Sequence, residues 1–479
     1  MNKLTKRDLI RIGIVIVVLA ALLIASIMVN ALLSDLRLSE ILQGRGGVFP
    51  CVCALIFLLI LVYFICICYI DRSIVLNLKK LVMLAVVVFI GFELNLVIGA
   101  TVNIYLRPYA LVALLLAVLF HRNVSIFSSF VVVLLTLFND MITGEVGVTH
   151  ANLSSILLGV VSCLLASVAC DAKSERFRAV LAGILIAVPS FIVVGLTEAM
   201  FGTPSGAAVS ACIYACTSPI FSVMLFMIFL PLFEKLFNVV TTYRLYELTD
   251  PSAPLMKKLK EVAPGTFNHS IVVANLAEAC AYKIGVSPQL ARAAAYYHDI
   301  GKTVHPEYFV ENQTRGVNPH DDLTPEMSTS IIKRHGAAGY EICMDHNIPK
   351  EIADVCLQHH GILPIYYFYM KAQKYTDGVV DIDNFRYDGP KPRTKVAAII
   401  MVADACEAAI RASESKDIDK IEEIVRRIIE QRIDEDQFTE CDLTFKDVYD
   451  LKDAIVANYT GIYHERLKYP KLKLSKKKK

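Results

Sequence analysis

Six runs of this chain are apolar over roughly the length a helix needs to cross a bilayer, and they limit its first half to a narrow set of folds. They are Ile12 to Leu33, Val48 to Ile70, Leu81 to Val102, Leu153 to Ala169, Ala179 to Thr197 and Ala207 to Leu232. In hydrocarbon a helix satisfies its own backbone, so so many runs imply a polytopic helical membrane domain with the lipid bilayer as a partner. Two shorter runs, Tyr109 to Phe120 and Val124 to Phe138, are separated only by His121-Arg122-Asn123. They read as two short spans or as a re-entrant pair, which makes eight or six full spans, an even number in both cases. With 55% hydrophobic and 20% charged residues, the chain is too apolar for an ordinary soluble protein.

An even count puts both termini on one side, and positive charge chooses the side. The leader carries Lys3, Lys6, Arg7 and Arg11, and the loops on the same side carry Arg72, Lys79, Lys80, Arg122, Lys173, Arg176 and Arg178. The opposite loops hold Arg37, Arg45 and Arg107, and neither Asn139 to Ala151 nor Glu198 to Gly206 contains a Lys or Arg. Everything after Leu232 is therefore expected in the cytosol of a multi-pass inner-membrane protein, with the first span an uncleaved anchor. Of the 13 cysteines, eight lie in or beside the apolar runs and five in the cytosolic part, so reduced thiols are expected and not disulfides. Glu93, Asn95 and Glu198 lie within or at the end of spans and are given no transport role.

The chain is expected to comprise a leader with the first span (1–33), a multi-span domain (48–235), a connecting helix or linker (236–264), a cytosolic domain (265–467) and a basic tail (468–479). The tail holds seven lysines and reads as a solvated end. In the cytosolic part Ser287-Pro288 and Thr324-Pro325 each pair an N-cap residue with a first-turn proline, so helices should begin there. Amphipathic patterns run through Lys350 to His360, Arg393 to Ala412, Ile418 to Arg432 and Phe445 to Leu467, with no strict alternation. An all-α protein is expected, with a polytopic membrane domain followed by an all-helical cytosolic domain. Val304 to Leu323 and Lys371 to Pro392 are irregular, and both lie between ligand candidates as walls for a substrate pocket.

Eight of the 11 histidines fall between His269 and His360. In Tyr296-Tyr297-His298-Asp299-Ile300-Gly301-Lys302 an adjacent His-Asp pair offers a metal two ligands, and Asp404 follows in the apolar run from Ala397, where an unpaired carboxylate is costly. His269 should lie near the start of one helix, His298-Asp299 at the end of the next, His335 at the end of a third, His359-His360 at the end of a fourth, and Asp404 within a fifth. Five helices converging on one point would gather seven ligands, enough for two metals sharing a carboxylate; a mononuclear site needs four.

The pattern His269, His298-Asp299, Asp404 resembles the HD-domain phosphohydrolase superfamily. Ala263-Pro264-Gly265-Thr266-Phe267-Asn268-His269-Ser270, Glu307-Tyr308-Phe309-Val310-Glu311-Asn312-Gln313 and Asn318-Pro319-His320-Asp321 are similar, more narrowly, to the seven-transmembrane receptor HD-domain proteins, whose characterised members are cyclic di-AMP phosphodiesterases. The membrane half and Leu248-Thr249-Asp250-Pro251 fit as well. The resemblance implies that His269, His298, Asp299 and Asp404 bind one metal and Asp299, His335, His359 and His360 a second, with Asp299 as the bridge. It also implies two divalent transition metals, iron or manganese, which suits His and carboxylate ligands.

The activity so implied is hydrolysis of cyclic di-AMP to linear 5′-pApA, since a metal pair activates water and clamps the phosphodiester. Alternatives are another nucleotide (cyclic di-GMP, a linear dinucleotide or a nucleoside polyphosphate) and a nucleotide-binding membrane receptor without turnover. Lys302 is a candidate for neutralising a phosphoryl oxygen or for a plain salt bridge, and Arg393, Arg411 and His320 are candidate substrate contacts. His305 has no ligand role in this scheme. The expected partner is a cyclic dinucleotide and not a nucleic acid polymer, and self-association is left open. Two departures stand out. Ser34 to Gly47 replaces the large extracytoplasmic domain common in such proteins, and Gly361-Ile362-Leu363-Pro364-Ile365 follows His359-His360 where cyclic di-GMP phosphodiesterases carry Gly-Tyr-Pro.

Overall fold

A computed structural model describes residues 5–33, 48–143, 149–170, 176–313, 318–375, 379–415 and 417–463. Residues Ser34 to Gly47, the basic tail, Lys3 and Lys173 lie outside the described residues. No strand forms among those described, where a single bridge pairs Pro364 with Arg386. The chain is all-α, and it divides into two compact units at Arg244/Leu245.

The first unit contains α1 (Lys6–Leu33), α2 (Val48–Ile70), the short α3 (Arg72–Leu76), α4 (Leu78–Thr101), α5 (Tyr109–Leu119), α6 (Arg122–Thr143), α7 (His150–Ala169), α8 (Arg176–Met200) and α9 (Ser205–Phe237). Seven of these are long and apolar enough to cross a membrane. The two short runs prove unequal. The second is the core of α6, a helix of full length, whereas α5 has 11 residues and rises only about 16 Å. Every residue of α5 is buried, and α4, α6, α7 and α9 pack around it. A helix apolar on all sides is stable only when enclosed in this way.

Contacts at the ends of the bundle fix the direction of each helix. At one end Asp71, after α2, lies 3.5 Å from His121, after α5; Lys79 at the start of α4 reaches the Asn238 carbonyl after α9, and Arg122 reaches Val168 near the end of α7. At the other end Asn30 of α1 donates to Asn139 of α6, and Tyr105, before α5, donates to Glu198 near the end of α8. Short as it is, α5 joins opposite ends, so eight helices alternate in direction. Arg107 holds its entry by two 2.7 Å hydrogen bonds to Asp140, both residues buried. A Cβ on Gly99 would fall 2.3 Å from Arg107 Nε, so only glycine leaves room for this guanidinium.

The connection after α9 is two short helices and not one, α10 (Thr242–Leu248) and α11 (Pro254–Val262). The second unit then builds α12 (Pro264–Ile284), α13 (Pro288–Tyr297), α14 (Pro325–Asp345), α15 (Lys350–Gln358), α16 (Tyr366–Tyr375), α17 (Lys395–Ala412), α18 (Ile418–Asp434) and α19 (Phe445–Tyr463). Ser287 caps α13 by accepting from the Leu290 amide, and Thr324 caps α14 by accepting from Met327, as their sequence positions predict. Val304 to Leu323 contains short 3-10 turns. Two expectations are corrected. His335 sits within α14 and not at its end, and Lys371 to Tyr375, expected to be irregular, is helical because Phe368 and Ala372 bury one face of α16 against Phe385 and Ile332.

Candidate metal centre

Five helices deliver the expected residues to one place. His269 stands on the second turn of α12, His298 caps α13, His335 is mid-α14, His359 caps α15, and Asp404 lies mid-α17. Gly301 makes this approach feasible. A Cβ there would fall 1.9 Å from the His335 carbonyl, so its backbone lies directly on α14 beside a candidate ligand.

The side chains form two groups, His269, His298, Asp299 and Asp404 in one and Asp299, His335, His359 and His360 in the other. In each the ligand atoms lie within 4.8 Å of one another. Asp299 belongs to both and divides its oxygens between them. Oδ2 is 3.3 Å from His298 Nε2 and 3.7 Å from His269 Nε2, while Oδ1 is 3.4 Å from His335 Nε2 and 3.6 Å from His359 Nε2. Asp404 closes the first group, 2.9 Å from His269 Nε2, and its other oxygen is 4.0 Å from His360 Nδ1.

Four imidazoles present Nε2 because Nδ1 is occupied elsewhere. His298 Nδ1 donates to the Ala295 carbonyl, His335 Nδ1 to Ile332 and His359 Nδ1 to Val355, each within a turn of its own chain. His269 differs, since its Nδ1 donates to the Glu407 carboxylate at 2.5 Å.

The residues fit a cation. His298 Nε2 and both oxygens of Asp299 are buried without a well-directed hydrogen bond, although Lys302 Nζ approaches Oδ2 to 2.7 Å as an ion pair. Orphaned polar atoms are costly in a protein interior, and a divalent ion on each side of Asp299 would satisfy all three. Imidazole nitrogen with carboxylate oxygen is a donor set for first-row transition metals.

Charge is unevenly divided. Burial pulls the His298 imidazole down, but Asp299 and Asp404 outweigh it and push it up to about 10. His269 is likewise raised against its burial by Asp404 and Glu407. In the other group burial brings His335 down to about 4, and burial together with His359 and His335 holds His360 well below its usual value. Despite burial, His298 and Lys302 hold Asp299 well below the usual carboxylate range.

Lys302 lies between two carboxylates, 2.7 Å from Asp299 and 2.9 Å from Glu311, with its ammonium 5.0 Å from the Phe309 ring. The remaining candidates stand apart from the two groups. Arg393 pairs with Glu440 and is largely exposed, while Arg411 is held 3.3 Å from Glu407. His320 is buried, bonded to the Tyr308 carbonyl and packed against Phe368. His305 is exposed beside Glu307. Beside His335 a cleft of about 130 Å³ is lined by Gly301, Val304, Phe309, Ser330 and Arg334, so part of the irregular stretch does form a wall.

Three residues escaped the sequence reading. Glu407 was legible, since it stands three places after Asp404 on the same face of α17. Tyr387, stacked on His360 at 4.2 Å, and Glu311 come from loops, where no periodicity marks an inward side chain.

Residues 266–409 match the HD domain family, and residues 48–241 match the family described as 7TM receptor with intracellular HD hydrolase. The chain is 50% identical over 241 residues to the cyclic-di-AMP phosphodiesterase PgpH of Listeria monocytogenes serotype 1/2a (strain 10403S), covering 50% of this chain and 33% of that protein. It is 36% identical over 403 residues to the cyclic-di-AMP phosphodiesterase PgpH of Bacillus subtilis (strain 168), covering 83% of this chain and 55% of that protein. The chain thus spans about half, or less, of the length of these relatives. A solved structure of the L. monocytogenes phosphodiesterase PgpH HD domain in complex with cyclic-di-AMP is 50% identical, covering 45% of this chain and 100% of its own, with a TM-score of 0.43.

Proposed function

We propose, from the premise that the chain belongs to the family of 7TM receptors with an intracellular HD hydrolase, that it is a membrane-anchored phosphodiesterase cleaving cyclic di-AMP to linear 5′-pApA. The observation that carries the reaction type is Asp299, whose two oxygens face two separate groups of three further ligands. In this reading His269, His298, Asp299 and Asp404 hold one divalent transition metal, and Asp299, His335, His359 and His360 a second, iron or manganese. Such a pair, when bound, supplies a nucleophile from water at neutral pH and offsets charge on the phosphoryl oxygens.

The chain's own residues do the rest. Asp299 fixes the separation of the two groups, and the Nδ1 hydrogen bonds of His298, His335 and His359 keep their rings aimed inward. Lys302, ionised between Asp299 and Glu311, carries the positive charge that a phosphoryl oxygen gaining negative charge would meet. Arg393, Arg411 and His320 lie outside both groups, which leaves Lys302 the better supported of the proposed substrate contacts. Adenine as the base is supported by the relatives' names and not by the metal ligands. The even number of alternating helices, with the Lys and Arg bias of their loops, supports a catalytic unit on the cytosolic face of the inner membrane.

The test is to load the purified full chain with Mn²⁺ or Fe²⁺ and offer it cyclic di-AMP, cyclic di-GMP and a nucleoside polyphosphate, separating products by chromatography. The expected product is 5′-pApA from cyclic di-AMP. Intact cyclic di-AMP beside cleaved cyclic di-GMP would refute the substrate and leave the metal centre standing.

A further inference from the structure

Among the four imidazoles that present Nε2, only His269 has its Nδ1 held by a charged side chain. The other three donate to backbone carbonyls of their own turns, an arrangement that sets orientation but adds no charge. Glu407 is 5% exposed, so its charge acts in a region of low dielectric. Its Oε2 accepts from His269 Nδ1 at 2.5 Å and its Oε1 faces Arg411 at 3.3 Å. The Arg411 side chain is 45% exposed, so solvent screens much of its charge and the pair does not cancel.

A count of carboxylates separates the two groups. The first has Asp299 and Asp404 as ligands with Glu407 behind His269; the second has Asp299 alone beside three imidazoles. A carboxylate behind a ligating imidazole fixes its tautomer and raises the basicity of the nitrogen that faces the metal. We infer that Glu407 is the positioning residue that makes the group of His269, His298, Asp299 and Asp404 the tighter of two metal sites. This rests on the reading that both groups bind a divalent metal. The protein would then load in order, with the first site filled at metal levels that leave the second partly empty.

The test is Mn²⁺ titration of the chelator-stripped full chain in lipid nanodiscs, by calorimetry and by electron paramagnetic resonance of free Mn²⁺. Glu407→Gln keeps an acceptor for Nδ1–H and removes the charge; Glu407→Ala removes both. Two classes of site are expected in the wild type. Glu407→Gln should weaken the tighter class about 10-fold and Glu407→Ala on the order of 100-fold, with the weaker class unchanged as internal control. Tight binding unchanged in both variants would overturn the inference, as would equal weakening of both classes in Glu407→Gln with unaltered circular dichroism. If Glu407→Ala fails to fold, the near-isosteric Gln variant decides. A wild type that binds a single Mn²⁺ would defeat the two-metal reading instead, and Glu407→Gln would then have to weaken that one site for the role of Glu407 to stand.

Discussion

Lys302→Met would delete a charge while keeping an aliphatic stem beside Phe309, and its consequences follow from two distances. The ammonium is 2.7 Å from Asp299 Oδ2 and 2.9 Å from Glu311 Oε1, with the lysine side chain 12% exposed and the carboxylates 1% and 9%. At an effective dielectric of about 20 each pair is worth roughly 6 kcal/mol of gross attraction, of which desolvation takes back the larger part. Removing one partner of a buried pair typically costs about 3–5 kcal/mol, because the other charge stays behind uncompensated. Two carboxylates lose one ammonium here, but Asp299 keeps the charged His298 imidazole 3.3 Å away, so we expect a loss in the middle of that range, about 4 kcal/mol, in metal-free protein. For a unit of this size that is a fall on the order of 8–16 °C in melting temperature.

Metal changes the balance. A cation beside Asp299 would compensate one of the two carboxylates that lose Lys302, so the deficit should shrink by about half when the protein is loaded. Glu311→Gln in the Lys302→Met background should recover the other half. The assay is thermal melting by circular dichroism of the full chain in nanodiscs, with Mn²⁺ and with chelator, for wild type, both single variants and the double. Equal losses with and without Mn²⁺ would refute the reasoning, since Asp299 would then not be shared between Lys302 and a metal. If Lys302 also offsets charge in the transition state, the double variant should regain stability but stay slower on the order of 10²-fold.

Asp299→Ala should lose both metals and all turnover, whereas His335→Ala should lose mainly one; elemental analysis of purified protein checks this, and a single metal in the wild type, unchanged by His335→Ala, His359→Ala or His360→Ala, would favour a mononuclear site. Reporter fusions after Lys479 should report a cytosolic location, and extracytoplasmic activity there would overturn the proposed orientation. Asp447 closes a capping box with Thr444 and accepts from Lys395 at 2.7 Å; burial raises its pKa, but these partners outweigh it and hold it below the ordinary 3.8. Its stabilisation is fully present above pH 3.8 and is lost as pH falls through the depressed native value. Asp447→Asn should therefore cost about 1 kcal/mol near neutral pH and nothing at the acid limit, as denaturant melts at several pH values would show.

The second unit was legible where a signal is local. Ser287 and Thr324 announce helix starts because a hydroxyl before proline caps whatever follows, and the adjacent His298-Asp299 announces a ligand pair without reference to the fold. His335 lies mid-α14 although Gly336 and Gly339 follow it, glycine being the residue most costly to helix propensity after proline. In the folded chain these glycines are where α14 meets its neighbours. A Cβ on Gly336 would lie 2.9 Å from the Cys356 carbonyl, and one on Gly339 3.2 Å from the Gly301 amide. Tertiary packing overrides the local preference there, and only the position of α15 and of the Gly301 turn reveals it.

The membrane half shows the complementary limit. Hydropathy detects a helix that faces lipid along its whole length, because apolar surface must then last for about 30 Å. The α5 helix does not face lipid. Enclosed by four other helices, it is released from that length requirement, and its 11 apolar residues carry the same pattern as a re-entrant turn or a buried core helix. What distinguishes a crossing is the destination of its two ends, and those are given by pairs far apart in sequence. Arg107 meets Asp140 at one end of the bundle, and His121 meets Asp71 at the other. Once those pairs are known α5 joins the seven longer helices in one alternation of direction among the described residues, and the first and last helices of the bundle, α1 and α9, place the start of one and the end of the other at the same end.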